Sequence, residues 1–164
     1  MITFPPSKTD QAKKGVVLSM VAYFLLAISK CWIGRWAHSE AVYADGLNNF
    51  SDFFLSGGIL IAIIIAGRPA DENHPFGHNK AENIAALVAA LVMGVASVQI
   101  WSGAVHTLWD HTAKAIHPLA IYLSIFSAFI MFVVSIINLR LSRKTNSHAL
   151  QANAYDNRSD SYVS

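Results

Sequence analysis

Two pairs of oxygen-bearing side chains are the part of this sequence best suited to chemistry. Asn48 and Asp52 form the first pair, and Asp156 and Asp160 form the second. On a helix, side chains four residues apart share one face and lie about 6 Å from each other, so each pair can present two oxygens to one ligand. Such oxygens are typical ligands of hard divalent cations. The residues therefore predict a cation site between two helices.

The two pairs lie in related segments, residues 39–56 and 147–164. From Ser39 to Ser147 the offset is 108 positions, the difference between the two residue numbers, and the segments align at that offset without a gap. Where Asp and Asn are exchanged between the copies, an oxygen stays in place. A repeat of this kind is typical of the paired helices that hold an ion in secondary transporters.

The ligand types indicate which ion binds. The four side chains offer only oxygen, whereas Zn²⁺ favours nitrogen and sulfur. We therefore predict Mn²⁺, and ligand softness leaves Mg²⁺ and Fe²⁺ open as alternatives. Asp45 is assigned a supporting role at this site. Asp45 and Asn49 are also four residues apart, and it is the repeat that favours Asn48 and Asp52 as the ligands.

The elements that must position these residues are membrane-spanning helices. Hydrophobic residues make up 54% of the 164 residues and charged residues 13%, which is unlike a soluble domain. Apolar runs of about 20 residues, enough to cross the bilayer core, occupy roughly 15–33, 43–66, 84–105 and 119–139. A fifth helix begins near Ser147. The sequence thus predicts an all-α, polytopic membrane protein with four full spans and the start of a fifth.

Lys and Arg are concentrated on one side of these spans, which predicts a cytoplasmic N-terminal tail (residues 1–14) followed by a transmembrane domain (residues 15–164). Lys30 and the nearby Trp32 suit the end of the first span at the membrane interface. An odd number of spans separates the two related segments, so they should run in opposite directions, as in an inverted repeat of three-helix units.

Depth in the membrane supports an ion site over simple hydrogen bonding between helices, which is the alternative interpretation of such polar residues. Asp52 lies about 20 Å along the helix from Ser39, near mid-membrane, and Asp160 reaches a similar depth from the other side. An ionised carboxylate there costs about 2.5–3.5 kcal/mol or more, so three of them demand a counter-charge. A divalent cation would supply it.

A second cluster lies in the loop between the second and third spans, where Asp71, His74 and His78 occur. Pro75 and Gly77 disfavour a regular helix there, so the motif is not that of a helical metalloprotease. Two interpretations fit equally well: a loop metal site, or residues that cap the third helix or join a surface network. No nucleophile and base pattern is visible, so we predict that the chain is not an enzyme.

Three motifs together resemble the cation diffusion facilitator (cation efflux) transporters. The resemblance rests on residues 44–52 (ADGLNNFSD), 74–82 (HPFGHNKAE) and 149–160 (ALQANAYDNRSD). It implies a dimeric, plasma-membrane exporter of six spans that exchanges a cytosolic divalent metal for protons. It also implies that Asn48, Asp52, Asp156 and Asp160 form the transport site, a set similar to that of the manganese-exporting branch. Asp71, His74 and His78 match loop ligands of some zinc members.

Measured against that family, the sequence ends within the fifth helix, and the C-terminal cytoplasmic domain is absent. We therefore expect a Mn²⁺ exporter or the N-terminal part of one. The alternatives are a zinc, iron or cobalt exporter and a truncated membrane protein that does not transport. The expected partners are the metal ion, protons, lipid and a second copy when full length. No resident cofactor and no nucleic acid are expected.

Overall fold

The computed structural model describes residues 8–72, 75, 77, 78, 80–110 and 117–164, apart from the side chains of residues 100, 104 and 106–110. This part of the chain forms five α-helices. Four of them, α1 to α4, are long and apolar enough to cross a membrane, which confirms the predicted all-α membrane fold. The helices are α1 (Lys8–Trp36), α2 (Glu40–Ala66), α3 (Lys80–Asp110), α4 (Pro118–Thr145) and α5 (His148–Val163).

The first helix differs from the sequence-based expectation at both ends. It begins at Lys8, inside the segment assigned to a tail, and it continues to Trp36. Lys30, interpreted as a residue at the end of the span, is instead fully buried inside the bundle. That interpretation was wrong because the Lys30 ammonium pairs with the Asp45 carboxylate and does not extend to the lipid headgroups.

The α1–α2 and α4–α5 corners are built alike. His38 and Asn146 adopt the left-handed backbone conformation, with φ of 50° and 56°, and they are the only non-glycine residues with positive φ in the described part of the chain. Ser39 and Ser147 follow them as N-caps, and each hydroxyl accepts a hydrogen bond from the backbone N–H three residues later. Both pairs of residues are separated by the same offset of 108 positions as the repeat.

The repeat extends to the buried faces of α1 and α4, where sequence identity is low. Each buried residue of α4 has a buried equivalent in α1 at the same offset. The equivalent pairs are Ala12 and Ala120, Ser19 and Ser127, Tyr23 and Met131, Leu26 and Val134, Ala27 and Ser135, Lys30 and Asn138, and Gly34 and Ser142. The two helix pairs are therefore structurally related units.

Contacts between α2 and α5 show that these helices are antiparallel. Asn153, early in α5, contacts Ser56, whereas Asp160, late in α5, lies close to Asp52. Residue numbers thus rise along one helix as they fall along the other. This is the relationship that the predicted inverted repeat requires.

Small and polar residues allow the helices to pack closely. A Cβ atom added at Gly34 of α1 would lie 2.5 Å from the backbone nitrogen of Tyr43 in α2, so the two helices can approach this closely only because position 34 is glycine. α4 packs against α5, and α3 lies against α2 and α5. Among the described side chains, the buried polar residues within helices lie on α1, α2, α4 and α5.

Candidate metal site

Three carboxylates converge at the centre of the bundle. Asp52 from α2 and Asp156 and Asp160 from α5 each place one oxygen so that the three oxygens lie within 4.8 Å of one another. Asp52 and Asp156 are buried, and Asp160 is partly exposed. Helical spacing produces this arrangement because residues 156 and 160 are one turn apart and face the same neighbour. Within the described residues, no other group of three acidic, His or Cys side chains has metal-binding geometry.

Asn48 joins the cluster through Asp52. Its side-chain Nδ2 donates a 2.9 Å hydrogen bond to Oδ2 of Asp52, one helical turn away. A metal held here would need the other end of the amide, because only Oδ1 has lone pairs to donate. A half-turn of the amide group would bring Oδ1 to the position that Nδ2 now occupies.

The cluster opens on one side into a cavity between the helices. Asn48, Asp52, Asp156 and Asp160 form its polar wall. The opposite wall is α3, and its residues are mostly apolar, which leaves the carboxylates as the main polar groups in the cavity. The remaining lining residues are Val92, Met93, Ala96, Ser97, Trp101, Ser159 and Val163.

Tyr23 of α1 contacts the cluster and was missed by the sequence analysis. Its hydroxyl lies 3.1 Å from Oδ2 of Asp156 and 2.5 Å from Oδ2 of Asp160, so its single proton is shared between the two carboxylates. The side chain is fully buried. The available signal was a tyrosine in the middle of an apolar span, where the hydroxyl needs a partner.

Asp45 is not one of the three clustered carboxylates. Its Oδ2 accepts a 2.6 Å hydrogen bond from the Lys30 ammonium, and the Lys30 side chain is fully buried. The bundle therefore carries its own positive charge close to the site. The sequence pattern predicts only a bound cation in that role.

The loop cluster is partly described. Nε2 of His78 lies 3.5 Å from Oδ2 of Asp71, just before α3 begins. His74, the third residue of the predicted loop site, lies outside the described residues. The observed pair is compatible with both interpretations given above, a loop metal site and residues that cap the third helix or join a surface network.

The charges of the central cluster limit what it can do. Three carboxylates this close repel one another strongly in a poorly hydrated environment, because like charges interact more strongly where the dielectric constant is low. The repulsion is relieved by a cation or by protons. The arrangement is therefore suited to holding a small cation with oxygen ligands.

Comparisons with known proteins identify similar transporters. The chain is 39% identical over 158 residues to the manganese efflux system protein MneS of Bacillus subtilis, a match that covers 94% of this chain and 54% of MneS. It is 39% identical over 154 residues to the uncharacterized transporter YdbO of the same organism, covering 94% of this chain and 53% of YdbO. Identity to the manganese efflux system protein MneP is 32% over 153 residues, covering 91% of this chain and 50% of MneP.

The chain spans about half the length of these relatives. No solved structure matches it significantly. Residues 16–164 match the family described as the cation efflux transmembrane domain, which is nearly the whole sequence. The protein is therefore a multi-pass membrane protein that belongs to the cation efflux family of transporters.

Proposed function

We propose that this chain forms the cation path of a divalent metal exporter and that its cargo is Mn²⁺. The observation that carries the proposal is the convergence of Asp52, Asp156 and Asp160 within 4.8 Å of one another. With Oδ1 of Asn48 these groups make a four-oxygen set, without the nitrogen or sulfur that Zn²⁺ prefers. The names of MneS and MneP, both manganese efflux proteins, support the same cargo.

The proposal includes the direction and the counter-ion. The basic residues Arg68, Arg143 and Lys144 lie at the ends of spans on the same side as the N-terminus, which supports a cytoplasmic N-terminus in the cell membrane. When the metal leaves outward, protons are the simplest species that can neutralise the three carboxylates. We therefore propose exchange of Mn²⁺ for protons as the reaction, and we propose a homodimer because the resemblance to the family implies one.

The test is metal flux into liposomes that contain the purified protein. We expect saturable Mn²⁺ uptake that exceeds uptake of Zn²⁺, Fe²⁺ and Co²⁺, together with movement of protons in the opposite direction. Asp52→Ala should abolish the flux. Preference for Zn²⁺, Fe²⁺ or Co²⁺ would reject Mn²⁺ as the cargo, and flux without proton movement would reject the exchange.

A further inference from the structure

Two contacts connect α2 and α5, one on each side of the carboxylate cluster. On one side, Nδ2 of Asn153 donates a 2.8 Å hydrogen bond to the hydroxyl of Ser56. On the other side, the Lys30 ammonium donates hydrogen bonds of 2.6 Å to Oδ2 of Asp45 and 2.9 Å to the hydroxyl of Ser164. We call the second contact the Lys30 bridge. Lys30 belongs to α1, so this bridge joins three helices.

The two contacts occupy equivalent positions in the repeat. Asp45 corresponds to Asn153, and Ser164 corresponds to Ser56, at the offset of 108 positions. Equivalent positions are therefore linked in both contacts. Asn153 contacts Ser56 directly, whereas Asp45 is linked to Ser164 through the Lys30 ammonium. The residue equivalent to Lys30 is Asn138, whose Nδ2 donates instead to the hydroxyl of Ser19 at 2.6 Å. One link is charged and the other is neutral.

The charged link lies between the cluster and the α1–α2 corner. Lys30 is close to the end of α1, and Asp45 is close to the start of α2, so both lie on the corner side of Asp52. The neutral link lies on the opposite side of the cluster. Because α2 and α5 carry all the clustered carboxylates, an ion that moves between these two helices toward the corner meets the Lys30 bridge.

A purely structural role does not explain why this link is charged. The Asn153 link shows that the two helices can be tied at equivalent positions by a neutral hydrogen bond. A buried lysine inside a membrane bundle is costly and commonly marks a functional path. A charged link also responds to the charge of the neighbouring site, because bound and empty forms of the site differ in net charge. A neutral link does not respond in this way.

We propose that Lys30 is the gate residue on the corner side of the metal path. This inference rests on the proposed function of the central site as the transport site. In the conformation described, the Lys30 bridge holds α2 and α5 together on the corner side. Release of Lys30 from Asp45 and Ser164 opens the site to that side of the membrane.

Accessibility of a single cysteine tests the gate directly. Cys31 is the only cysteine, so Cys31→Ser gives a background without thiols. Ser97→Cys then places one thiol on the α3 wall of the cavity. The rate of its reaction with a membrane-impermeant methanethiosulfonate is measured with the reagent on each side of the membrane. A cysteine at exposed Ala41 identifies the corner side.

Lys30→Met should raise the labelling rate from the corner side about tenfold or more, the factor expected for loss of a hydrogen bond to a charged group. Asn153→Ala should raise the rate from the opposite side. Arg35→Met is the matched control, since Arg35 is an exposed cation on the same helix and its removal should leave both rates unchanged.

Exchanging the charges, with Lys30→Asp and Asp45→Lys together, should restore the slow rate. Lys30→Met with Asp45→Asn keeps the pair neutral and similar in size, and it should give the fast rate even where Lys30→Met alone folds poorly. Unchanged labelling in this double variant, or equal acceleration from both sides, would overturn the gate. Labelling does not require Mn²⁺ flux, so a protein that gates but transports no Mn²⁺ would reject the proposed function alone.

Discussion

The hydroxyl of Tyr23 in α1 lies 2.5 Å from Oδ2 of Asp160 in α5. Met131 occupies the equivalent position in α4, and it is equally buried but has no hydroxyl to donate. One half of the repeat therefore supplies a hydrogen-bond donor to the carboxylate cluster, whereas the equivalent residue of the other half is an apolar side chain in a hydrophobic cluster that includes Tyr23. This difference means that Tyr23 orients the two acidic groups of α5, whereas its equivalent only fills space.

Tyr23→Phe should weaken metal binding. Groups that hydrogen-bond to metal-ligating side chains typically contribute about 10- to 100-fold to metal affinity, so KM for Mn²⁺ should rise about tenfold or more with a smaller change in Vmax. Met131→Leu is the control and should leave KM unchanged. Initial rates of flux into liposomes measure both parameters. A lower KM in Tyr23→Phe would show instead that the phenol competes with the metal for carboxylate oxygens.

Asp52→Ala and Asp160→Ala should each abolish transport while the protein still inserts, because each removes one of three clustered oxygens that an ion needs. Ser51→Ala changes the neighbouring, exposed position of α2 and should transport normally. Flux is measured alongside the amount of protein in the membrane fraction. Normal Mn²⁺ efflux in Asp52→Ala would exclude this cluster as the transport site.

Asn48→His and Asp156→His should shift the metal preference from Mn²⁺ toward Zn²⁺, since each introduces a nitrogen ligand into an oxygen-only set. Ser97→His places the same side chain on the α3 wall, outside the proposed ligand set, and should leave the preference unchanged. The ratio of Mn²⁺ to Zn²⁺ flux is the measurement. If that ratio is constant in both ligand variants, selectivity arises elsewhere.

The loop residues should modulate transport without carrying it. Asp71 and His78 lie just before α3, away from the central carboxylates, so changing Asp71, His74 and His78 together to Ala should leave measurable flux. Flux assays at several Mn²⁺ concentrations reveal a change in KM or Vmax. Complete loss of transport with normal insertion would make the loop the essential site.

Gly34→Ala should destabilise the bundle. Its Cβ would lie 2.5 Å from the backbone nitrogen of Tyr43, and such overpacking typically costs about 1–3 kcal/mol. Gly58→Ala is the matched control, because an added Cβ there meets no atom within 4 Å. Thermal unfolding in detergent compares the two. Equal midpoints for both variants would contradict the close packing of α1 on α2.

The sequence predicts the ligand-bearing helices well because two sequence signals, the apolar runs and the repeat, coincide there. Apolar runs locate the spans, and the repeat aligns Asp52 with Asp160, so the convergence of α2 and α5 is foreseeable. The inverted relationship follows from counting spans. These inferences need only local patterns and the thickness of a bilayer.

The contributions of α1 are harder to predict because they depend on tertiary contacts. Tyr23 and Lys30 lie on the buried face of a long apolar helix, and nothing local distinguishes a buried lysine from one that extends to the membrane surface. Position 30 becomes interpretable only when Asp45 and Ser164 are known to be its partners. The helix ends are also extended beyond the apolar runs, since helical structure continues into polar segments.

The paired corners at His38 and Asn146 have an evolutionary consequence. Two units with the same corner, the same buried face and opposite directions are what a duplicated gene produces when its ancestor could insert in either orientation. An ancestral protein of one unit would then have assembled as an antiparallel pair, with two copies of one short acidic motif meeting at the centre. On this view the ion site originated as an intermolecular contact, and fusion of the two copies allowed equivalent positions such as Lys30 and Asn138 to become different.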